Sequence, residues 1–212
     1  GDINGISSKS IKRIFPEFEG GFNISSVIDI NDKKINYIIN KTMMRINLEK
    51  PLLSGSKFEL KIEWWYNINE RAKIGGRSGY EYFKKDDNYL YTIAQFFPRM
   101  CVYNDVEGWQ NKQFLGSGEF TLPFGDYQVN ITVPANHIVS ATGELINEKE
   151  ILSQKQLERL EEARNSFDKP VFIVNEKEAI KNEKSKIKSM KTWKVKAKNV
   201  RDFGWASSKK FI

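Results

Sequence analysis

Period-two alternation of apolar and polar side chains dominates this chain, and it predicts strands. Phe58, Leu60, Ile62, Trp64 and Tyr66 share one face while Lys57, Glu59, Lys61 and Glu63 take the other, the signature of a half-buried strand. Met44, Ile46 and Leu48 alternate similarly, and Leu53-Ser54-Gly55-Ser56 supplies a turn. The two runs together predict an antiparallel hairpin with Pro51 at its margin, where a missing N–H does little harm. Tyr127, Val129, Ile131 and Val133 alternate with Gln128, Asn130 and Thr132 as far as Pro134, and Ile138 to Thr142 forms another strand ended by Gly143. Trp193, Val195 and Ala197 face one way and Lys194, Lys196 and Lys198 the other; lysines on an exposed face discourage edge-to-edge aggregation. Strands at short spacing without intervening helices predict an all-β fold, an antiparallel sandwich or saddle-like domain.

One segment departs from this period. Ser153 and Gln156 are spaced as a capping box, Leu152 and Leu157 flank the cap, and Leu157, Leu160 and Ala163 follow at helical spacing. A short amphipathic helix is predicted within about 153–165, from Gln154 to Arg164, inserted between strands. From Glu176 to Ser189 the chain is rich in Lys, Glu, Asn and Ser, which predicts a mobile surface excursion over 176–189. No repeat or linker divides the sequence, so one β-rich domain over 1–212 is expected. Ala206 to Ile212 reads as a strand barely finished, as at a domain boundary.

Composition adds two constraints. Aromatic residues make up 13%, with five tryptophans, more than a minimal core demands, so some are expected at an interface or cleft. The net charge of +7 permits anionic partners, but many lysines alternate with apolar residues near the C-terminus and read as a solvated strand face. A basic groove with stacked aromatics is not localised, so no nucleic-acid partner is expected. No apolar run reaches membrane-spanning length and no signal peptide is recognisable.

The chemistry-bearing residues are few. Cys101 is the single cysteine, which excludes an internal disulfide, and its neighbours Met100 and Val102 predict a small buried hydrophobe. His137 is the single histidine, expected at a strand edge, exposed or bonded to backbone. A catalytic zinc takes three protein ligands, commonly two histidines and a carboxylate, and a serine or cysteine hydrolase needs a histidine base. One imidazole and one thiol in separate strand contexts make neither, so no metal site and no catalytic residue is expected in this chain. Gly75-Gly76-Arg77-Ser78-Gly79 and Gly116-Ser117-Gly118-Glu119 lack the Lys-Ser/Thr of a phosphate loop and predict tight turns. Asp105, Glu107, Glu119 and Asp126 are a weak signal for paired carboxylates. Arg99 with Asp105, and Arg201 with Asp202, are candidate ion pairs.

The central segment carries a more specific signal. Ala94-Gln95-Phe96-Phe97-Pro98-Arg99-Met100, Tyr103-Asn104-Asp105, Gly108-Trp109, Leu115-Gly116-Ser117-Gly118-Glu119-Phe120 and Phe124-Gly125-Asp126-Tyr127-Gln128-Val129 occur in that order. Ile131-Thr132-Val133-Pro134, Ala141-Thr142-Gly143-Glu144-Leu145 and Val200-Arg201-Asp202-Phe203-Gly204-Trp205-Ala206 follow. This ordered set resembles the N-terminal domain of the aminopeptidase N family of zinc metallopeptidases, the gluzincins, and is closest to a bacterial branch with a Gln-aromatic-aromatic-Pro-Arg-Met motif. The resemblance covers roughly Phe58 to the C-terminus; the first fifty residues match only in strand character.

What the resemblance implies is a β-saddle or sandwich preceding a thermolysin-like catalytic domain. That domain carries the family's Gly-x-Met-Glu-Asn and His-Glu-x-x-His motifs, and neither is present here. Zinc, general base and aminopeptidase activity are therefore expected in the catalytic domain of the same polypeptide. This chain is expected to be non-catalytic and to form one wall of a peptide-binding cleft, in a bacterial protein for which an exported or envelope-associated place is open. In the family a Gln or Glu of this domain reaches toward the substrate's amino terminus, and Gln95 occupies the comparable position at a shorter spacing; an amide that only satisfies loop backbone is the other reading. Phe96, Phe97, Arg99 and Trp109, with Phe120, are candidates for the interdomain or cleft surface, although at least two of the aromatics fit this domain's own core. The alternative function is a free-standing carbohydrate-binding sandwich using Trp64, Trp65 or Trp109 as stacking platforms.

Overall fold

The structure is a computed structural model that describes residues 17–113 and 121–212. In chain order its elements are β1 (Asn23–Asp29), β2 (Tyr37–Asn40), β3 (Met43–Ile46), β4 (Leu60–Trp65), α1 (Arg71–Ile74), β5 (Gly79–Phe83), β6 (Asn88–Ile93), β7 (Tyr103–Asn104), β8 (Gly108–Trp109), β9 (Gly125–Pro134), β10 (Ile138–Ala141), β11 (Glu144–Leu145), α2 (Glu148–Ile151), α3 (Gln154–Asn165), α4 (Glu176–Glu183), β12 (Met190–Val200) and β13 (Trp205–Ser208). All the paired strands are antiparallel, and the fold is all-β and sandwich-like with a few short helices. Two compact units divide the described residues: a smaller one of 17–68 with 99–113 and 121–122, and a larger one of 69–98 with 123–212. No linker marks the passages between them, because the smaller unit is assembled from two separate stretches of chain.

In the smaller unit β1 pairs with β4, placing Ile24 opposite Trp64 and Val27 opposite Ile62. Along β4, Leu60, Ile62 and Trp64 are half-buried while Lys61, Glu63 and Trp65 are exposed, as the alternation predicts. The predicted hairpin between Met44–Leu48 and Phe58–Tyr66 does not form. Instead β3 pairs with β2, Tyr37 opposite Ile46, across the two-residue connection Lys41-Thr42. Closing a two-residue loop costs less entropy than closing one through Pro51 and Lys57, so the nearer partner wins. The Leu53–Ser56 turn is nonetheless present, with the Ser56 N–H donating to the Leu53 carbonyl at 3.0 Å.

The larger unit stacks a four-stranded sheet, ordered β10-β13-β6-β5, over a three-stranded one, ordered β11-β12-β9. The core draws on both sheets: Ile131, Val133, Trp193, Val195 and Ala197 from β9 and β12, Val139 from β10, with Ile151 and Phe203. Each of the larger side chains contributes about 1.5–3 kcal/mol by leaving water. Trp193 lies opposite Ile131, and Ala197 opposite Tyr127. The chain steps from one sheet to the other at Gly143, whose φ of +98° and approach to Lys196 leave no room for a side chain. At the margin of β12, Asn147 stands in for a strand: its amide donates to the Thr192 carbonyl at 3.1 Å and its Oδ1 accepts from the Lys194 N–H at 2.9 Å. The C-terminal run expected as an unfinished strand is an interior one, β13, bonded to both β10 and β6.

Helix α3 carries the predicted capping box, the Ser153 N–H donating to Gln156 Oε1 at 2.9 Å and the Gln156 N–H to Ser153 Oγ at 3.3 Å. The excursion expected over 176–189 is corrected in its first half, which is helix α4. It opens on a second capping box, Asn175 with Glu178, and Arg159 of α3 grips the Glu178 carboxylate at 2.5 Å and 3.2 Å. Composition hid this helix because it buries a single side chain, Ala179, and is held by polar contacts instead.

Gly143→Ala places a Cβ 2.4 Å from the Lys196 carbonyl oxygen at a left-handed φ, and is expected to lower unfolding free energy by at least about 2 kcal/mol, measured by urea denaturation. Asn147→Ala leaves two backbone groups of β12 without their partner and is expected to cost about 1–3 kcal/mol in the same titration; a loss within error for either variant contradicts its assigned role.

Candidate functional site

The exit from β6 is the most constrained feature among the residues singled out by sequence. Ile93, 1% exposed, ends the strand inside the core. The next N–H, of Ala94, donates to Ser78 Oγ at 3.1 Å, and that hydroxyl donates to the Thr92 carbonyl at 3.2 Å. Gln95 then adopts a left-handed conformation, φ +53°, and is exposed. An L-residue there costs about 1–2 kcal/mol. Phe96 and Phe97 supply the compensation. Their rings meet edge to face at 5.0 Å, Phe96 meets Trp205 at 6.4 Å and Phe97 meets Tyr127 at 5.8 Å. Tyr127 in turn stacks at 6.0 Å on Phe203, which is fully buried. Two consecutive aromatic side chains packed against the core, followed by the fixed φ of Pro98, force the bend and turn Gln95 outward.

Arg99 and Trp109 belong to the smaller unit. Arg99 is half-buried. Trp109 sits on the β7–β8 hairpin, 54% exposed, with its ring edge-to-face on Tyr103 at 5.3 Å. Beside it, Glu107 accepts from Lys112 at 2.9 Å and from Gln110 at 3.2 Å, and the Lys112 ammonium holds its carboxyl below the usual range. Cys101 is half-buried with its sulfur 3.9 Å from that of Met43. Of the carboxylates, Asp126 accepts from the Asn199 N–H at 2.9 Å and Asp202 from the Phe203 N–H at 2.8 Å. Gly116–Glu119 and Phe120 lie outside the described residues.

His137 is placed differently from expectation. It is buried, 6% exposed, and its Nδ1 lies 2.7 Å from the hydroxyl of Ser207, itself fully buried. Sequence gave no sign of this partner, seventy residues downstream, since a serine inside a short strand has many ordinary uses. Burial, with the nearby Lys209 ammonium, pushes the imidazole below its ordinary range. With Ser207 sealed from solvent, the pair presents no hydroxyl to a substrate. Among the described residues no group of three or more His, Cys, Asp or Glu is placed to hold a metal ion, and no helix is long and apolar enough to cross a membrane.

Compared with known proteins, the chain matches no family model, no curated protein and no solved structure.

The bend at Gln95 predicts a specific stability order. Gln95→Val, β-branched at a left-handed position, is expected to lose about 1–2 kcal/mol, whereas Gln95→Gly is expected to hold or gain stability. Equal losses for the two in thermal or urea unfolding contradict the strained geometry.

Proposed function

We propose that this chain is the non-catalytic N-terminal domain of a zinc aminopeptidase-like metallopeptidase, packing against the catalytic domain of the same polypeptide and forming one wall of its peptide-binding cleft. The observation that carries the reading is the presentation of Gln95. An exposed amide is held at an unfavourable φ by two aromatic rings packed on the core, an arrangement of little use to a loop and suited to a group that meets a ligand. The residue lies within the ordered motifs that resemble the family. An amide oxygen accepts from an ammonium group, so Gln95 suits the free amino terminus of a peptide. Zinc and the catalytic base reside in the catalytic domain. Exposed apolar side chains support a packing role: Met100, Tyr103, Val106 and Trp109 are each more than half exposed.

A second reading rests on the same hairpin. Trp109 with Tyr103 is an exposed aromatic pair of the kind on which sugar rings stack, which suits a free-standing carbohydrate-binding sandwich.

In the polypeptide carrying this chain and its catalytic domain, Gln95→Ala is expected to raise KM for an aminoacyl reporter about tenfold with kcat changed far less, the pattern of a lost binding contact. Unchanged kinetics contradict the role of Gln95. Retention of an oligosaccharide on a glycan array by the chain itself, abolished in Trp109→Ala, replaces the first reading with the second.

A further inference from the structure

The buried pair His137–Ser207 lies at the start of β10, an end strand of the four-stranded sheet as described. Strand β10 is four residues long and, among the described residues, lies at the sheet edge and bonds to β13 alone. Its far end is tied by Thr142, whose N–H donates to the Gly204 carbonyl at 3.0 Å and whose hydroxyl accepts from the Gly204 N–H at 3.1 Å. Its near end is held by the ladder pairing of Ile138 with Ser208, by the turn Pro134–His137, closed by the His137 N–H donating to the Pro134 carbonyl at 2.8 Å, and by the side-chain contact to Ser207. That contact is the only one among the described hydrogen bonds that ties a titratable side chain of this turn to β13.

We propose that His137 is an acid-sensitive latch: neutral, it fastens the start of β10 to β13, and on protonation it releases that end of the strand while the three-stranded sheet stays folded. The inference is independent of the peptidase reading.

The surroundings favour release. Against the ring lie Tyr91 of β6, its ring centroid 6.2 Å away, and Ser207 of β13. The charged group acting on it is Lys209, just past β13, which already disfavours a second cation. Helix α4 contributes Glu183, but its carboxylate is taken by Lys210 and by Asn88, and its backbone carbonyl faces the Lys209 ammonium at 3.5 Å. Asn136, also buried, uses its amide on Ser185. An imidazolium here thus carries its charge without a carboxylate among these partners. Moving the ring into water relieves that, and the shortest route is to lift the edge strand, exposing Val139 and Ile138.

The sign follows from linkage. Burial and Lys209 hold the folded-state pKa below the ordinary histidine value of about 6.5, so the open state binds more protons than the closed one. Latch stability is complete above that ordinary value and is lost as pH falls through it toward the folded-state value.

Because His137 is the single histidine of the chain, its ring Cε1 proton is unambiguous in NMR. In the intact chain its titration midpoint is expected below that of a free histidine; a midpoint at or above the free value overturns the proposal without any variant. Hydrogen exchange then locates the effect. Between about pH 7.5 and about pH 5, corrected for intrinsic exchange, peptides covering 138–141 are expected to lose protection at least about tenfold more than peptides covering β9 and β12. His137→Gln, which keeps a group able to bond Ser207, is expected to remove that difference. Equal loss across both sheets, or equal pH dependence in wild type and His137→Gln, overturns it.

Discussion

The pairing of β9 with β12 is the constraint on which the larger unit depends. The two longest strands among the described residues run antiparallel from Met190 opposite Pro134 to Ala197 opposite Tyr127. Their inward residues, Ile131 and Val133 on one and Trp193, Val195 and Ala197 on the other, form most of the buried cluster. A slip of one residue would turn all of these to solvent and all the outward Lys, Asn, Gln and Thr side chains inward. The register is therefore set by burial, and the second sheet, with Val139 and Phe203, is placed by having to cover that same apolar face. At the far end the ladder breaks between Ala197 and Val200, where Asn199 takes a positive φ and Asp126 captures its N–H. An irregularity of this kind locally bends its strand, and Phe203, fully buried, follows shortly after it.

Around this apolar centre, polar side chains supply backbone partners that the short elements lack. Buried Asn147 completes the margin of β12 and buried Ser208 donates to the Tyr89 carbonyl at 2.9 Å, while the less buried Ser153 and Asn175 complete helix starts. Each such group is worth little in net terms when satisfied and is expensive when orphaned, so they specify one arrangement more than they deepen it. His137 with Ser207 belongs to this set, but it differs in being titratable, which turns a structural bond into one that responds to acid.

The aromatic path Phe96–Phe97–Tyr127–Phe203 links this core to the exit of β6. Strain at Gln95 is held in place because relaxing it would withdraw two rings from the core, at a cost greater than the left-handed backbone itself. The exposed amide held this way is the point at which the fold bears on the proposed role.

By itself, the sequence determined what depends on neighbours a few residues away. The all-β class, the alternation of β4, β9 and β12, the turn at Leu53–Ser56 and the capping box at Ser153 were all legible, because period and local spacing express them directly. Tertiary structure decided the rest. Which strand β3 and β4 pair with depended on competing loop closures; helix α4 depended on Arg159, nineteen residues from Glu178; the burial of His137 depended on Ser207. Only the packing of the core sent Phe96 and Phe97 inward and left Gln95 outside. For helix α4 and His137 the deciding partner lies well along the chain, and such an interaction leaves no periodic trace in either residue; for β3 it is the adjacent β2, and alternation alone does not say which neighbouring strand a run pairs with.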